Sequence, residues 1–340
     1  MITLLRTLTQ IPAPSGREDE LRAAVQKLIQ PHADEVRVDA LGNLIARKGK
    51  AAKNGKRIML AAHLDEVGLI VSHVDAAGFA RFSVFGVLHQ NRRVGARVKF
   101  LNGAQGVIGL EKTSDQKDRA PSLDKYFIDT GATSPKDSPV KVGDVAVFDS
   151  EFHDLGGRVL SKALDNRVGV ALLIESLRNL KPGPHEIYFV FTAQEEVGVR
   201  GAGPAAYGLD PEIGLSLDAT PASDTPAASV RNPIALGKGP ALKIKDSLMV
   251  SDPRLVDALT RLAKKNRLPL QMEVLEGGST DARAIQISRS GARVAGLSIP
   301  VRYGHSPSEM ADWDDIHNAG RLLAAFLTDS KVFAQHAVSA

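Results

Sequence analysis

Arg57-Ile58-Met59-Leu60-Ala61-Ala62-His63-Leu64-Asp65 sets a short, almost wholly apolar run against an imidazole and a carboxylate. A run of this length and composition reads as a strand buried on both faces, the kind found at the centre of a parallel sheet. Three further runs share its form, at residues 186–192, 213–217 and 292–299. Between them lie stretches with helical periodicity. The clearest covers 166–180, where Val170, Leu173, Ile174, Leu177 and Leu180 share a face and Lys181-Pro182-Gly183 ends the helix. Helices are also expected over 17–29, after the turn Pro14-Ser15-Gly16, over 253–265 and over 314–327. This alternation predicts an α/β fold with a mostly parallel central sheet flanked by helices.

Residues 69–158 read differently. Short alternating pieces at 69–75, 80–85, 97–101 and 145–149 are divided by turn signals such as Asn102-Gly103 and Gly156-Gly157, and no convincing helix intervenes. The expectation is a small β-barrel-like domain, 69–158, inserted into a discontinuous α/β domain of 1–68 and 159–340. Residues 219–229 read as a loop and those after Phe333 as a frayed end.

Composition narrows the chemistry. At 340 residues the chain exceeds one average domain, and with 43% hydrophobic residues it can bury a large core without staples. It has no cysteine, which removes thiol nucleophiles, disulfides and Cys-ligated metal sites together. Any metal must be held by His, Asp and Glu. The net charge of +4 is too dilute for a nucleic-acid partner, because no Lys/Arg stripe interleaves with aromatics. No apolar run approaches the roughly 18 residues of a membrane span. A soluble, cytoplasmic protein is expected.

In an open parallel sheet, ligands bind beyond the carboxyl ends of the strands. The first run is followed by His63 and Asp65, the second by Glu195 and Glu196, the third by Asp218, and the fourth by Arg302, Tyr303 and His305. Asp165 stands just before the 166–180 helix, where a helix N-terminus favours a carboxylate. Taken singly, each has a plainer reading: a structural histidine, a solvated acidic pair, an N-cap aspartate. Jointly, four strand ends carrying ligand-capable groups point to one edge whose like charges need divalent cations as compensation. Competing motifs fail. There is no His-Glu-x-x-His helix and no Walker phosphate loop. Gly198–Gly203 has the wrong spacing for a dinucleotide fingerprint, and Gly304-His305-Ser306-Pro307-Ser308 lacks the final glycine of a nucleophile elbow.

Five motifs occur in order: Ala62-His63-Leu64-Asp65-Glu66-Val67-Gly68, Ala163-Leu164-Asp165-Asn166-Arg167, Glu195-Glu196-Val197-Gly198-Val199-Arg200-Gly201-Ala202, Gly277-Gly278-Ser279-Thr280-Asp281-Ala282 and Arg302-Tyr303-Gly304-His305-Ser306. Together they resemble the glutamyl/deblocking aminopeptidase family of dinuclear metallopeptidases, the tetrahedral aminopeptidases, some of which carry a cellulase or endoglucanase label. The resemblance implies a zinc-dependent exopeptidase type of fold and peptide substrates with a free N-terminus. It implies two divalent cations per subunit, zinc first, with cobalt or manganese also suited. Carried over by residue, His63 and Asp218 bind one metal, Glu196 and His305 the other, and Asp165 bridges. Glu195 becomes the general base, and Asp65 holds the far N–H of the His63 imidazole. The inserted domain becomes the oligomerisation module of dimers that build a dodecamer. One departure is Glu276, where the family pattern favours glycine. The alternatives are a β-glucanase and a catalytically inactive scaffold. The first wants aromatic platforms for sugars, yet Trp313 is the sole tryptophan. The second should show gaps in the ligand set.

Overall fold

The computed structural model describes residues 1–88, 93–112, 121–228 and 233–329. Helices α1 (Ile2–Gln10) and α2 (Asp19–Ile29) lead into strands β1 (Glu35–Val38), β2 (Leu44–Lys48) and β3 (Arg57–His63). Six strands follow: β4 (Gly68–Val74), β5 (Ala80–Phe85), β6 (Arg97–Phe100), β7 (Gln105–Leu110), β8 (Tyr126–Asp129) and β9 (Val145–Phe148). The chain then forms β10 (His153–Asp154), β11 (Arg158–Ser161), α3 (Leu164–Asn179), β12 (Glu186–Thr192), α4 (Ala202–Leu209) and β13 (Ile213–Pro221). It ends with β14 (Ala241–Lys245), α5 (Pro253–Lys265), β15 (Gln271–Val274), α6 (Asp281–Gln286), β16 (Arg293–Arg302), β17 (Glu309–Asp312) and α7 (Trp313–Thr328).

The large sheet runs β1-β2-β12-β3-β13-β16-β17-β11-β10, with β14 and β15 branching from β16. Its four central strands, β12, β3, β13 and β16, are parallel, and the flanking pairs are antiparallel. Successive residues of β3 face opposite sides, as the pleat requires. Ile58, Leu60 and Ala62 enter the core shared with α1, α2, α3, α5 and α7, whereas Met59 and Ala61 pack beneath α4 and α6. Burial on both faces explains why the sequence shows an unbroken apolar run here rather than alternation.

Strands β4 to β9 close into a six-stranded barrel in the order β4-β5-β8-β7-β6-β9. The barrel has its own core, in which Val71, Phe82, Phe100, Ile108, Tyr126 and Ile128 are buried. Closure leaves no exposed sheet edge in this unit. Two of its strands, β7 and β8, escaped the sequence reading. The glycines at 106 and 109 dilute the alternation of β7, and β8 has only four residues. His153–Asp154, which the reading placed in the insert, pairs with β11 in the large sheet. Residues 219–221, read as loop, extend β13. The tail after Phe333 lies outside the described residues.

A buried ion cluster ties the root of the barrel to the sheet. Glu66, between β3 and β4, accepts from Lys162 Nζ at 2.7 and 2.9 Å, from Arg167 at 3.1 Å and from the Ala13 N–H at 3.0 Å. All three ionised side chains are at most 5% exposed. Among the described residues no helix is long and apolar enough to cross a membrane.

Candidate metal centre

β3 and β13 pair in parallel only as far as Ala61 and Ser216, whereas β13 continues along β16 to Pro221. The two strands therefore part where His63 and Asp218 stand, opening the crevice that a parallel sheet offers to a ligand. His63 Nε2 lies 3.4 Å from Asp218 Oδ1.

Asp165 reaches the same crevice because it does not cap the helix. It and Asn166 have non-helical backbone angles, and the peptide between them is cis. Asn166 does the capping instead: its Oδ1 accepts the Gly169 N–H at 3.1 Å, and its Nδ2 donates to the Leu217 carbonyl at 2.8 Å. Gly169 permits this approach, since a Cβ there would fall 2.4 Å from Asn166 Oδ1 and 2.7 Å from the Leu217 carbonyl. The Asp165 carboxylate is thus free to face two imidazoles. Its Oδ1 lies 3.2 Å from His63 Nε2 and its Oδ2 lies 3.4 Å from His305 Nε2. His305 Nε2 is also 3.4 Å from Glu196 Oε1.

Both rings are oriented by main-chain carbonyls. The Nδ1–H of His63 donates to the Asp65 carbonyl at 3.0 Å, and that of His305 to the Val87 carbonyl at 2.7 Å. Each Nε2 is left facing carboxylate oxygens, a contact that only a proton or a cation makes favourable. Val87 follows β5, so the barrel orients one of the two rings. Gly86 packs so tightly on Glu196 that a Cβ would meet its Oε2 at 2.9 Å, and its φ of +77° suits glycine.

The Asp65 carboxylate stands beside the same ring nitrogen as its carbonyl. It is 3.5 Å from His63 Nδ1, farther than its own carbonyl. It also accepts from Ser15 Oγ at 2.6 Å and from the N–H groups of Glu195 and Glu196 at 2.9 and 3.1 Å. It thereby fixes the turn that presents the acidic pair.

The electrostatics follow from crowding acids in a dry crevice. Burial, reinforced by Asp218, Glu196 and Asp281, outweighs His63 and pushes Glu195 well above the usual carboxylate range. Burial, with the Asp165 charge, moves Glu196 up to about 8 against the pull of His305. Burial also raises Asp218. It would lower His305, but Glu196 and Asp165 carry that imidazole up to about 10. Asp165, despite its burial, is driven down by hydrogen bonds from both imidazoles.

These residues fit divalent cations. Ligand atoms of His63, Asp165 and Glu196 lie within 4.8 Å of one another, and Glu196 Oε1 is buried without a hydrogen-bond partner. Two neutral imidazole nitrogens with carboxylate oxygens are donors that zinc, cobalt and manganese accept. Three contributors were given no role by the sequence reading. The Val87 carbonyl is a backbone group with no residue signature. Asp281, buried, takes the Thr192 hydroxyl at 2.5 Å. Glu309 accepts the N–H groups of Asp165 and His305. Asp281 stands within the Gly277–Ala282 motif, and the signal for Glu309 is its place four residues after His305.

A parallel sheet edge thus gathers two imidazoles and a set of carboxylates, with a barrel set between the first and second of them, a group of side chains able to hold a metal ion. The profile of the M42 glutamyl aminopeptidase family matches residues 42–322, and the chain belongs to that family. It is 44% identical over 327 residues to a putative aminopeptidase of Acetivibrio thermocellus, covering 95% of this chain and 97% of that one. Its structure is similar to aminopeptidase APDkam598 of Desulfurococcus kamchatkensis, with a TM-score of 0.93, 37% identity, and 100% and 98% of the two chains covered. It is also similar to the TET1 peptidase of Pyrococcus horikoshii, whose assemblies are a tetrahedron or a large octahedral shell. There the TM-score is 0.84, the identity 32% and the coverage 96% and 99%. The protein is an aminopeptidase, a hydrolase of peptide bonds. The glucanase alternative falls away with this membership. Trp313 offers no sugar platform either, being buried with its Nε1 on Asp154 at 3.2 Å. Ser306 is buried too, with its Oγ taken by the Ser308 N–H.

Proposed function

We propose that the protein removes N-terminal residues from peptides with two divalent cations per subunit, one between His63 and Asp218, the other between His305 and Glu196, and Asp165 shared. The observation that supports this reading is Asp165 itself, with one carboxylate oxygen turned to each imidazole. Zinc is the first choice, cobalt or manganese the next. Such cations, when bound, polarise the scissile carbonyl and let water yield a nucleophile near neutral pH. Glu195 takes the proton of the attacking water and returns it to the leaving amine, and its elevated proton affinity suits a group that must do both. The Asp65 carboxylate, by holding the Glu195 and Glu196 N–H groups, keeps the base and a ligand in fixed register. The acidic crevice favours a positively charged α-amine over a blocked terminus, which is the distinction an aminopeptidase must make.

By analogy with the Pyrococcus horikoshii relative, we extend self-assembly to this chain, as dimers building a dodecamer through the 69–158 insert. The absence of cysteine fits a reducing, cytoplasmic setting. The test of the activity is hydrolysis of aminoacyl anilides and short peptides by protein reloaded with zinc, cobalt or manganese, beside the same peptides with a blocked N-terminus. Cleavage confined to free N-termini and lost on chelation is expected. Equal cleavage of blocked peptides would contradict the exopeptidase assignment.

A further inference from the structure

Asp165 and His305 share an awkward feature besides their place in the crevice. Each stands where the backbone is irregular: Asp165 has φ −77° and ψ 104° inside the first turn of α3, and His305 has a φ of +57°. Neither N–H can enter a helix or strand ladder, and an unpaired buried N–H is costly. One side chain satisfies both. Glu309 Oε2 accepts from Asp165 at 2.9 Å and its Oε1 accepts from His305 at 2.7 Å. The carboxylate is 1% exposed.

The topology makes this possible. β17 starts at Glu309 and pairs antiparallel with β11, Glu309 opposite Ser161. β11 leads through Lys162 and Ala163 to Asp165, while the segment from β16 to β17 carries His305. Glu309 thus stands at the joint between the two segments. Its carboxyl raises the proton affinity of the buried Lys162 and Arg167, while burial and the Asp165 charge push Glu309 itself up to about 8 against the two N–H bonds and His305.

We infer that Glu309 is a positioning residue that clamps the Asp165 and His305 main chains together and so sets the cation affinity of the His305–Glu196 position. This rests on the two-cation reading above. His63 and Asp218 are placed by β3 and β13, with no hydrogen bond to Glu309, so the clamp acts on one position more than the other. Loss of a partner that orients a ligand lowers metal affinity by about 10–100-fold.

The test compares the full-length wild type with Glu309→Gln and Glu309→Asp. Gln keeps the shape but turns an N–H donor against one of the two amides; Asp keeps the charge but is one methylene too short to span both. Should Gln fail to fold, Asp carries the same measurements. Zinc-loaded protein is dialysed against graded chelator, and zinc per subunit is counted. Folded variants should lose one zinc at a chelator level at least about tenfold lower than the wild type requires, with the second, which shares Asp165, weakened clearly less. Equal weakening of both zincs, or unchanged retention, overturns the inference. Hydrogen exchange of metal-free protein gives a separate readout. Peptides spanning 163–167 and 303–307 should exchange faster in the variants while the rest of the sheet is unchanged, and unchanged exchange there overturns the clamp. A wild type that holds fewer than two zincs overturns the two-cation reading instead, and the exchange result still decides the role of Glu309.

Discussion

His63 and His305 each commit Nδ1 to a main-chain carbonyl and turn Nε2 toward acids, so a cation would enter the proposed centre in exchange for protons. Without a cation, the proton on Glu196 persists up to a pH of about 8 and that on His305 to about 10. Both must leave before these groups become ligands. Cation affinity should therefore rise with pH through this range, and binding at pH 7 should release protons. Calorimetric titration of zinc into metal-free protein, in two buffers of different ionisation enthalpy, checks this; identical heats would contradict it. Asp65 illustrates a second residue-scale effect. Its carboxylate accepts three hydrogen bonds, from Ser15 and from the N–H groups of Glu195 and Glu196. In Asp65→Asn one acceptor oxygen becomes a donor, and the turn loses at least one of them. We expect kcat to fall by about 10–100-fold, as for other groups that orient metal ligands. Steady-state kinetics on an aminoacyl anilide decide it, and a kcat within twofold of the wild type would count against this role.

At the scale of elements, the site exists because β3 and β13 part at Ala61 and Ser216 while their neighbours pair on. The buried Glu66 cluster holds the root of β4 against α3 and β11 just beside that opening. Removing the carboxylate leaves Lys162 and Arg167 buried without it. Glu66→Ala should accordingly cost about 3–5 kcal/mol of stability, measured by urea unfolding, against less than about 1 kcal/mol for a surface pair such as Lys56–Glu212. The same scale shows what the chain's own sequence made legible. Strands buried on both faces announce themselves as apolar runs, so β3 and β12 are placed to within a residue. α5 is equally clear, because Asp252 caps it and Pro253 opens it. The plain reading of Asp165 as an N-cap fails, since Asn166 accepts the Gly169 N–H in its place. β1, β2 and β15 are short strands with mixed exposure, and nothing local distinguishes them from loop. The carbonyls of Asp65 and Val87 that orient the rings belong to the fold rather than to a residue type, and no spacing rule finds them.

The whole molecule combines a doubly covered sheet with a closed barrel that has its own core. The two meet at the candidate metal centre, where the barrel's Gly86–Val87 turn packs on Glu196 and orients His305. An insert so placed can serve assembly at its outer surface and still be required for the chemistry beneath it. The scattering mass of the protein in solution tests the first half of that statement: a particle of several subunits is expected, and a monomer mass would contradict it. The proposed chemistry rests on a division of labour between ligands that hold cations and a base that moves protons. Glu195 accepts no cation in this scheme, and Glu196 beside it does. Glu195→Gln should therefore keep two divalent cations per subunit while hydrolysis of aminoacyl anilides falls by at least about a hundredfold, the scale of a general acid–base contribution. The most direct measurement is metal content and turnover on the same preparation of that variant. Full metal with lost turnover is the predicted result; retained turnover, or loss of a cation together with activity, would contradict the account.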